Sequence, residues 1–180
     1  MKFLSWNCRG LGHPRVINVF KSLVRKSNLS CVFLCETKGG RDRLEKVCRS
    51  LGYHNMEIIE AKGNAGGLCL MWSDDVNLKI ERSNERVICG DMLDDVGNPT
   101  WSFLACHSPP YIGEKKNFWS QLIGIVNDLN RPWILFGDLN EIIDESEKFG
   151  GCHIWRIKLL KDFIHEMDGL DLGFIGGHFT

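Results

Sequence analysis

The sequence contains no apolar run longer than about six residues, far short of the roughly 20 that a membrane-spanning helix requires. A membrane protein of that kind is excluded. Its first ten residues, "MKFLSWNCRG", turn polar within six positions. They therefore lack the apolar core of a signal peptide, and a nuclear or cytoplasmic location is expected. None of the 8 cysteines pairs with another as C-x-x-C. The spacing that announces zinc sites and disulfide frameworks is thus missing, and reduced, buried thiols are expected. There is no G-x-G-x-x-G after a first strand and no Walker A motif, which removes the usual dinucleotide and P-loop readings. No repeat or low-complexity stretch interrupts the chain.

Net charge is also nearly absent, at −1, but it is unevenly distributed. Residues 1–50 hold 11 Lys and Arg against 3 Asp and Glu, and the remaining 130 hold 11 against 20. A basic first quarter is compatible with a polyanionic partner and equally with solvated helix faces.

With 180 residues, 43% of them hydrophobic and 25% charged, the chain suits one soluble core. A single domain over 1–180 is expected, and a monomer. Residues 3–7 read as a strand and Pro14 as a helix opener, followed by Val16, Val19, Phe20, Leu23 and Val24 at helical spacing. "CVFLCET" reads as a buried strand, and Leu44, Val47, Cys48 and Leu51 as one face of a second helix. Between Tyr53 and Cys106, five short runs ("YHNMEII", "GGLCLMW", "VNLKIE", "RVICGDM", "TWSFLAC") alternate with turn signals such as Gly63-Asn64 and Gly97-Asn98-Pro99. Gly66-Gly67 suits a tight turn. Residues 114–130 read as a helix, "WILF" as a buried strand, and residues 155–167 as a last amphipathic helix before "GLDLGF". Helices at both ends around a β-meander predict a mixed α/β sandwich rather than a Rossmann fold. Trp119 and Trp155 fall on apolar helix faces and read as core, and Lys115-Lys116 as a solvated helix start.

Three apolar runs end on polar groups able to handle a metal or a phosphate. "FLSWN" ends on Asn7, "CVFLCE" on Glu36, and "WILFGDLN" on Asp138 and Asn140. Singly, each also suits a structural role: a turn residue, a loop acid, a local cap. Strands packed side by side would gather them at one sheet edge, where sites are commonly built. A hard cation such as Mg²⁺ takes oxygen ligands, often one or two carboxylates. Glu36 and Asp138 can supply those, and the two asparagines can orient a phosphate or water without adding charge. Alternation along an extended chain points Asp138 and Asn140 the same way.

Six segments, "FLSWNCRGLG", "VFLCETK", "GGLCLMW", "PWILFGDLNEI", "EKFGG" and "DLGFIGGHFT", together resemble the endonuclease domain of plant LINE-type (non-LTR) retrotransposons. That domain belongs to the endonuclease/exonuclease/phosphatase, or DNase-I-like, family. The resemblance implies a four-layer α/β/β/α sandwich that hydrolyses DNA phosphodiesters with Mg²⁺ or Mn²⁺. It implies that Glu36 and Asp138 serve the metal, that Asp138 also orients or deprotonates the attacking water, and that Asn7 and Asn140 contact the phosphate. His107, in "CHSPP", stands where the family usually has tyrosine. It is either a proton donor to the leaving oxygen or a residue without a catalytic role. The family also continues into strands carrying an aspartate and a Ser-Asp-His motif, which this sequence does not contain. The expectation is therefore a sandwich incomplete at its C-terminus, with poor folding and low activity. A non-catalytic nucleic-acid-binding remnant and a phosphatase of the same fold are the alternatives.

Overall fold

The computed structural model describes residues 1–63, 65–143 and 158–173. They form two compact units. The first comprises Met1–His107 and Arg131–Asp138; the second comprises Ser108–Asn130 and the described residues from Leu139 onward.

In the first unit, β1 (Phe3–Asn7) lies parallel to β2 (Cys31–Cys35), with Phe3 opposite Cys31 and Asn7 opposite Cys35. Parallel strands need a crossover, and helix α1 (Pro14–Ser27) supplies it in sequence. Pro14 sits in its first turn as expected, His13 caps it by accepting from the Arg15 amide, and Asn28 ends it in a left-handed conformation. The short helix α2 (Arg41–Arg49) follows β2. The five runs of the meander become β3 (Asn55–Ile59), β4 (Leu68–Trp72), β5 (Leu78–Ser83), β6 (Val87–Leu93) and β7 (Pro99–His107). β8 (Trp133–Asp138) then pairs parallel with β7. The strands form two sheets, ordered β1-β2-β4-β3 and β5-β6-β7-β8.

The two-residue period of a strand sorts β2 between two cores. Val32 and Leu34 join Phe20 and Val24 of α1, Leu44, Val47 and Cys48 of α2, and Cys69 and Met71 of β4. Cys31, Phe33 and Cys35 point the other way, into a core with Leu68, Leu70, Ile88, Phe103 and Ala105 between the sheets. Burial on both faces explains why "CVFLC" is apolar at every position. Seven cysteines are free and buried among the described residues, as expected.

β8 corrects one expectation. Its residues are half-buried rather than buried, because among the described residues β8 is the outer strand of its sheet. Phe136 nevertheless anchors it between the sheets, its ring centroid 5.5 Å from that of Phe3 and 6.0 Å from that of Phe33.

The second unit contains α3 (Ile112–Asn127) and α4 (Lys158–Glu166). Trp119 is core as expected, its ring 5.3 Å from Phe118 and 5.0 Å from Phe163. Lys115 is not solvated: only 3% exposed, it donates to the Asn140 carbonyl and pairs at 2.7 Å with the enclosed carboxylate of Glu141. A buried ammonium requires such a partner. Residues 169–173 form no strand. Trp155, the "EKFGG" segment, Asn64 and the chain from Phe174 onward lie outside the described residues.

Two β-sheets with helices make the mixed α/β architecture that was expected, consistent with a DNase-I-like four-layer sandwich. No described helix is long and apolar enough to cross a membrane.

Gly137, just before the end of β8, has φ 140°, and a Cβ there would overlap the Cys106 carbonyl across the parallel pair. Both the backbone conformation and the close approach require glycine. Gly137→Ala should destabilise the chain by about 3 kcal/mol, read from urea unfolding; a loss within experimental scatter would refute this account of the β7–β8 approach.

Candidate metal centre

Register builds the site. In the first sheet Asn7 ends β1 opposite Cys35, with Glu36 the next residue. In the second, His107 ends β7 opposite Asp138, the last residue of β8. Each of the two parallel pairs thus finishes on polar or sulfur-bearing groups. The side chains meet: the Asn7 Nδ2 amide donates to Glu36 Oε1 at 3.0 Å and to Asp138 Oδ2 at 2.7 Å. His107 Nε2 lies 3.7 Å from the same Glu36 oxygen. Residues from opposite ends of the sequence therefore converge on one amide nitrogen.

Backbone conformation aims these groups. Glu36 has φ 51° and Lys38 φ 49°, which breaks the strand and turns the chain over the sheet edge. The turn is secured by the Thr37 and Lys38 amides, which donate to the carbonyls of Gly67 and Gly66 at 3.2 and 3.1 Å. Gly67 has φ 88°, and a Cβ there would overlap the Thr37 hydroxyl, so Gly66-Gly67 serves this turn. Across it, Asn7 Oδ1 accepts from the Arg9 amide at 3.1 Å. That contact holds the amide with its NH₂ toward the carboxylates.

Electrostatics follow from these contacts. The Asn7 hydrogen bond, above all, holds the Glu36 carboxyl below its ordinary range, against the opposing effect of burial; Lys38 and His107 add to the lowering. Lys38 Nζ stands 3.3 Å from Glu36 Oε2. Burial pushes the His107 imidazole down, partly offset by the negative charges of Asp138 and Glu36. A depressed value leaves the ring neutral at neutral pH, which suits hydrogen-bond donation better than proton donation. Burial also pushes the Cys35 thiol far up.

Asn140 departs from the reading by alternation. β8 ends at Asp138, and Asn140 has φ 48°. The chain is therefore not extended there, and strand alternation does not apply. Asn140 belongs to the second unit, where its Nδ2 donates to the Ser108 carbonyl at 2.7 Å.

Cys35, His107 and Asp138 are a group able to hold a metal ion, with one ligand atom from each lying within 4.8 Å of the others. For a hard divalent ion, the donor set is better drawn from oxygen. The carboxylates of Glu36 and Asp138 converge on a single hydrogen-bond donor, and Lys38 supplies positive charge beside Glu36. Such oxygen donors fit Mg²⁺ or Mn²⁺. The protonated Cys35 thiol does not contribute to that set.

Cys35 and Lys38 escaped notice in the sequence. The signal for Lys38 was its place two residues beyond Glu36 in "CETK". Nothing in the sequence distinguished Cys35 from the other buried thiols.

Because Asn7 is the largest cause of the Glu36 shift, Asn7→Ala should raise that carboxyl toward its ordinary value. Ionised Glu36 contributes stability above the unfolded-state carboxylate value, and this is lost as pH falls through the depressed folded value. The variant should therefore lose part of that acid-side contribution. Carboxyl-carbon NMR titration reads the shift directly, and an unchanged Glu36 midpoint would contradict the assignment.

The family model for the Endonuclease/Exonuclease/phosphatase family matches residues 4–172. No curated protein sequence matches the chain significantly. Among solved structures, a 3′ phosphatase from Neisseria bound to product DNA hairpin is similar, with a TM-score of 0.68 at 13% identity, covering 92% of this chain and 70% of that one. An AP endonuclease from Archaeoglobus fulgidus gives 0.66 at 14%, covering 92% and 69%. The endonuclease domain of TRAS1, a telomere-specific non-LTR retrotransposon, gives 0.60 at 11%, covering 91% and 71%. At such identities the likeness is one of fold. A family match across nearly the whole sequence, on a two-sheet α/β fold, carries the assignment: this chain belongs to the Endonuclease/Exonuclease/phosphatase family.

Proposed function

We propose that the protein is a metal-dependent phosphodiesterase acting on DNA, working as a single domain in the nucleus or cytoplasm and derived from a LINE-type retrotransposon. Family membership and the Cys35, His107 and Asp138 cluster support metal-dependent, nuclease-like activity in general. The observation that carries the reading is the Asn7 amide shared by the carboxylates of Glu36 and Asp138. The retrotransposon origin rests on the six sequence segments, and the choice of DNA is supported by the similar Neisseria 3′ phosphatase, which is bound to a product DNA hairpin.

In this reading, Glu36 and Asp138 would hold Mg²⁺ or Mn²⁺, which would supply Lewis-acid stabilisation of a phosphate oxygen. Asp138 orients the attacking water and accepts its proton. Asn7 fixes both carboxylates and presents a neutral amide toward the phosphate. His107, kept neutral by burial, donates a hydrogen bond to an oxygen of the scissile group.

The basic first quarter favours a second reading, binding of nucleic acid without cutting. Arg9, Arg15, Arg25 and Lys26 are exposed, and contacts of that kind weaken steeply with salt.

The test is nicking of supercoiled plasmid with Mg²⁺ and with EDTA. Nicking by the unmodified chain should require the ion, and Glu36→Ala and Asp138→Ala should each lower it by about 100-fold or more. Nicking that survives both variants would falsify the assignment. Salt-sensitive DNA binding without any ion-dependent nicking would establish the second reading instead.

A further inference from the structure

We propose that Cys35, His107 and Asp138 form a second cation site, selective for a thiophilic divalent ion such as Zn²⁺ or Cd²⁺, that shares Asp138 with the oxygen-donor centre. The donor atoms are one sulfur, one imidazole nitrogen and one carboxylate oxygen, all within 4.8 Å of one another. Among the described residues no other group of three such donors converges.

The mixed donor set decides the kind of ion. Mg²⁺ has little affinity for sulfur, whereas Zn²⁺ and its congeners bind Cys, His and Asp together. Bond lengths of about 2.0–2.3 Å put tetrahedral donors roughly 3.5 Å apart. Closing from the present separations therefore needs side-chain movements on the order of 1 Å, within the reach of torsions alone.

His107 supplies an independent indication. It is 5% exposed, yet its Nδ1 atom has no hydrogen-bond partner among the described residues. A buried imidazole nitrogen left without a partner costs free energy, and coordination of the ring would allow its two nitrogens to be satisfied differently. The Cys35 thiol donates to the Trp6 carbonyl over a long 3.9 Å. As the sulfur–metal bond forms, the thiol proton leaves to solvent, and the charge of the ion stabilises the thiolate in this buried position.

Occupation of this site would withdraw Asp138 from the oxygen-donor set. A thiophilic ion is thereby an inhibitor of the hard-ion chemistry, with specificity set by Cys35. The site itself rests on the three-residue geometry, whereas its inhibitory effect rests on the proposed function.

The test is titration of the reduced, full chain with Cd²⁺ in Mg²⁺-free buffer, following the thiolate-to-cadmium charge-transfer absorption. One equivalent should develop the band, and cadmium NMR of the unmodified chain should report a single sulfur ligand. Cys35→Ser should abolish the band. His107→Ala should weaken binding by at least about 10-fold. Cys48→Ser should change neither, although Cys48 and Cys69 form a buried thiol pair at 3.7 Å. Circular dichroism checks that each variant folds; should Cys35→Ser not fold, His107→Ala and the NMR of the unmodified chain decide. No band, a two-sulfur signal, or a band lost with Cys48→Ser but kept in Cys35→Ser overturns the proposal. Plasmid nicking is a separate measurement, so either proposal can fail while the other stands.

Discussion

The structure of the site depends on where two parallel strand pairs stop. β1 and β2 end together at Asn7 and Cys35, and β7 and β8 at His107 and Asp138. Had either pair run antiparallel, its two ends would lie at opposite edges of the sheet, and no common site could form. The sheets are joined through a shared apolar layer in which Phe136 contacts rings of both sheets. A slip of one residue in β8 would turn Phe136 and Asp138, which share a face, to the other side of the sheet and dismantle both the layer and the site.

The gathered side chains form an electrostatically demanding arrangement. Two carboxylates directed at one point repel each other, and the fold meets this with three different devices. The Asn7 amide gives each a hydrogen bond without adding charge, Lys38 adds charge beside Glu36 Oε2, and burial keeps His107 neutral next to Glu36 Oε1. Such an arrangement, with negative oxygens converging and only partly compensated, is the electrostatic condition for cation binding. Cys35 brings sulfur into the same neighbourhood, which is why the identity of a bound ion would depend on donor type as well as on charge.

Much of this was legible in one dimension. Asn7, Glu36 and Asp138 stand out because each ends an apolar run with a polar group, and short strand-like runs between turn signals located all five strands of the meander. Beside the burial of β8, two further inferences failed for specific reasons. Alternation beyond Asp138 assumed an extended backbone, but Asn140 adopts a left-handed conformation. Lys115 looked solvated because its partner, Glu141, lies 26 residues away and forms no helical pair with it.

Local chemistry determined the elements and marked the strand-end residues, since propensity and periodicity act between near neighbours along the chain. Strand order, the parallel sense of both pairs and the meeting of Asn7 with a residue 131 positions distant were decided only by tertiary structure. Those depend on which apolar faces pack together, and hydrophobic burial is non-directional: it rewards any arrangement that hides the same surface, so the actual partners emerge only when the whole chain is packed.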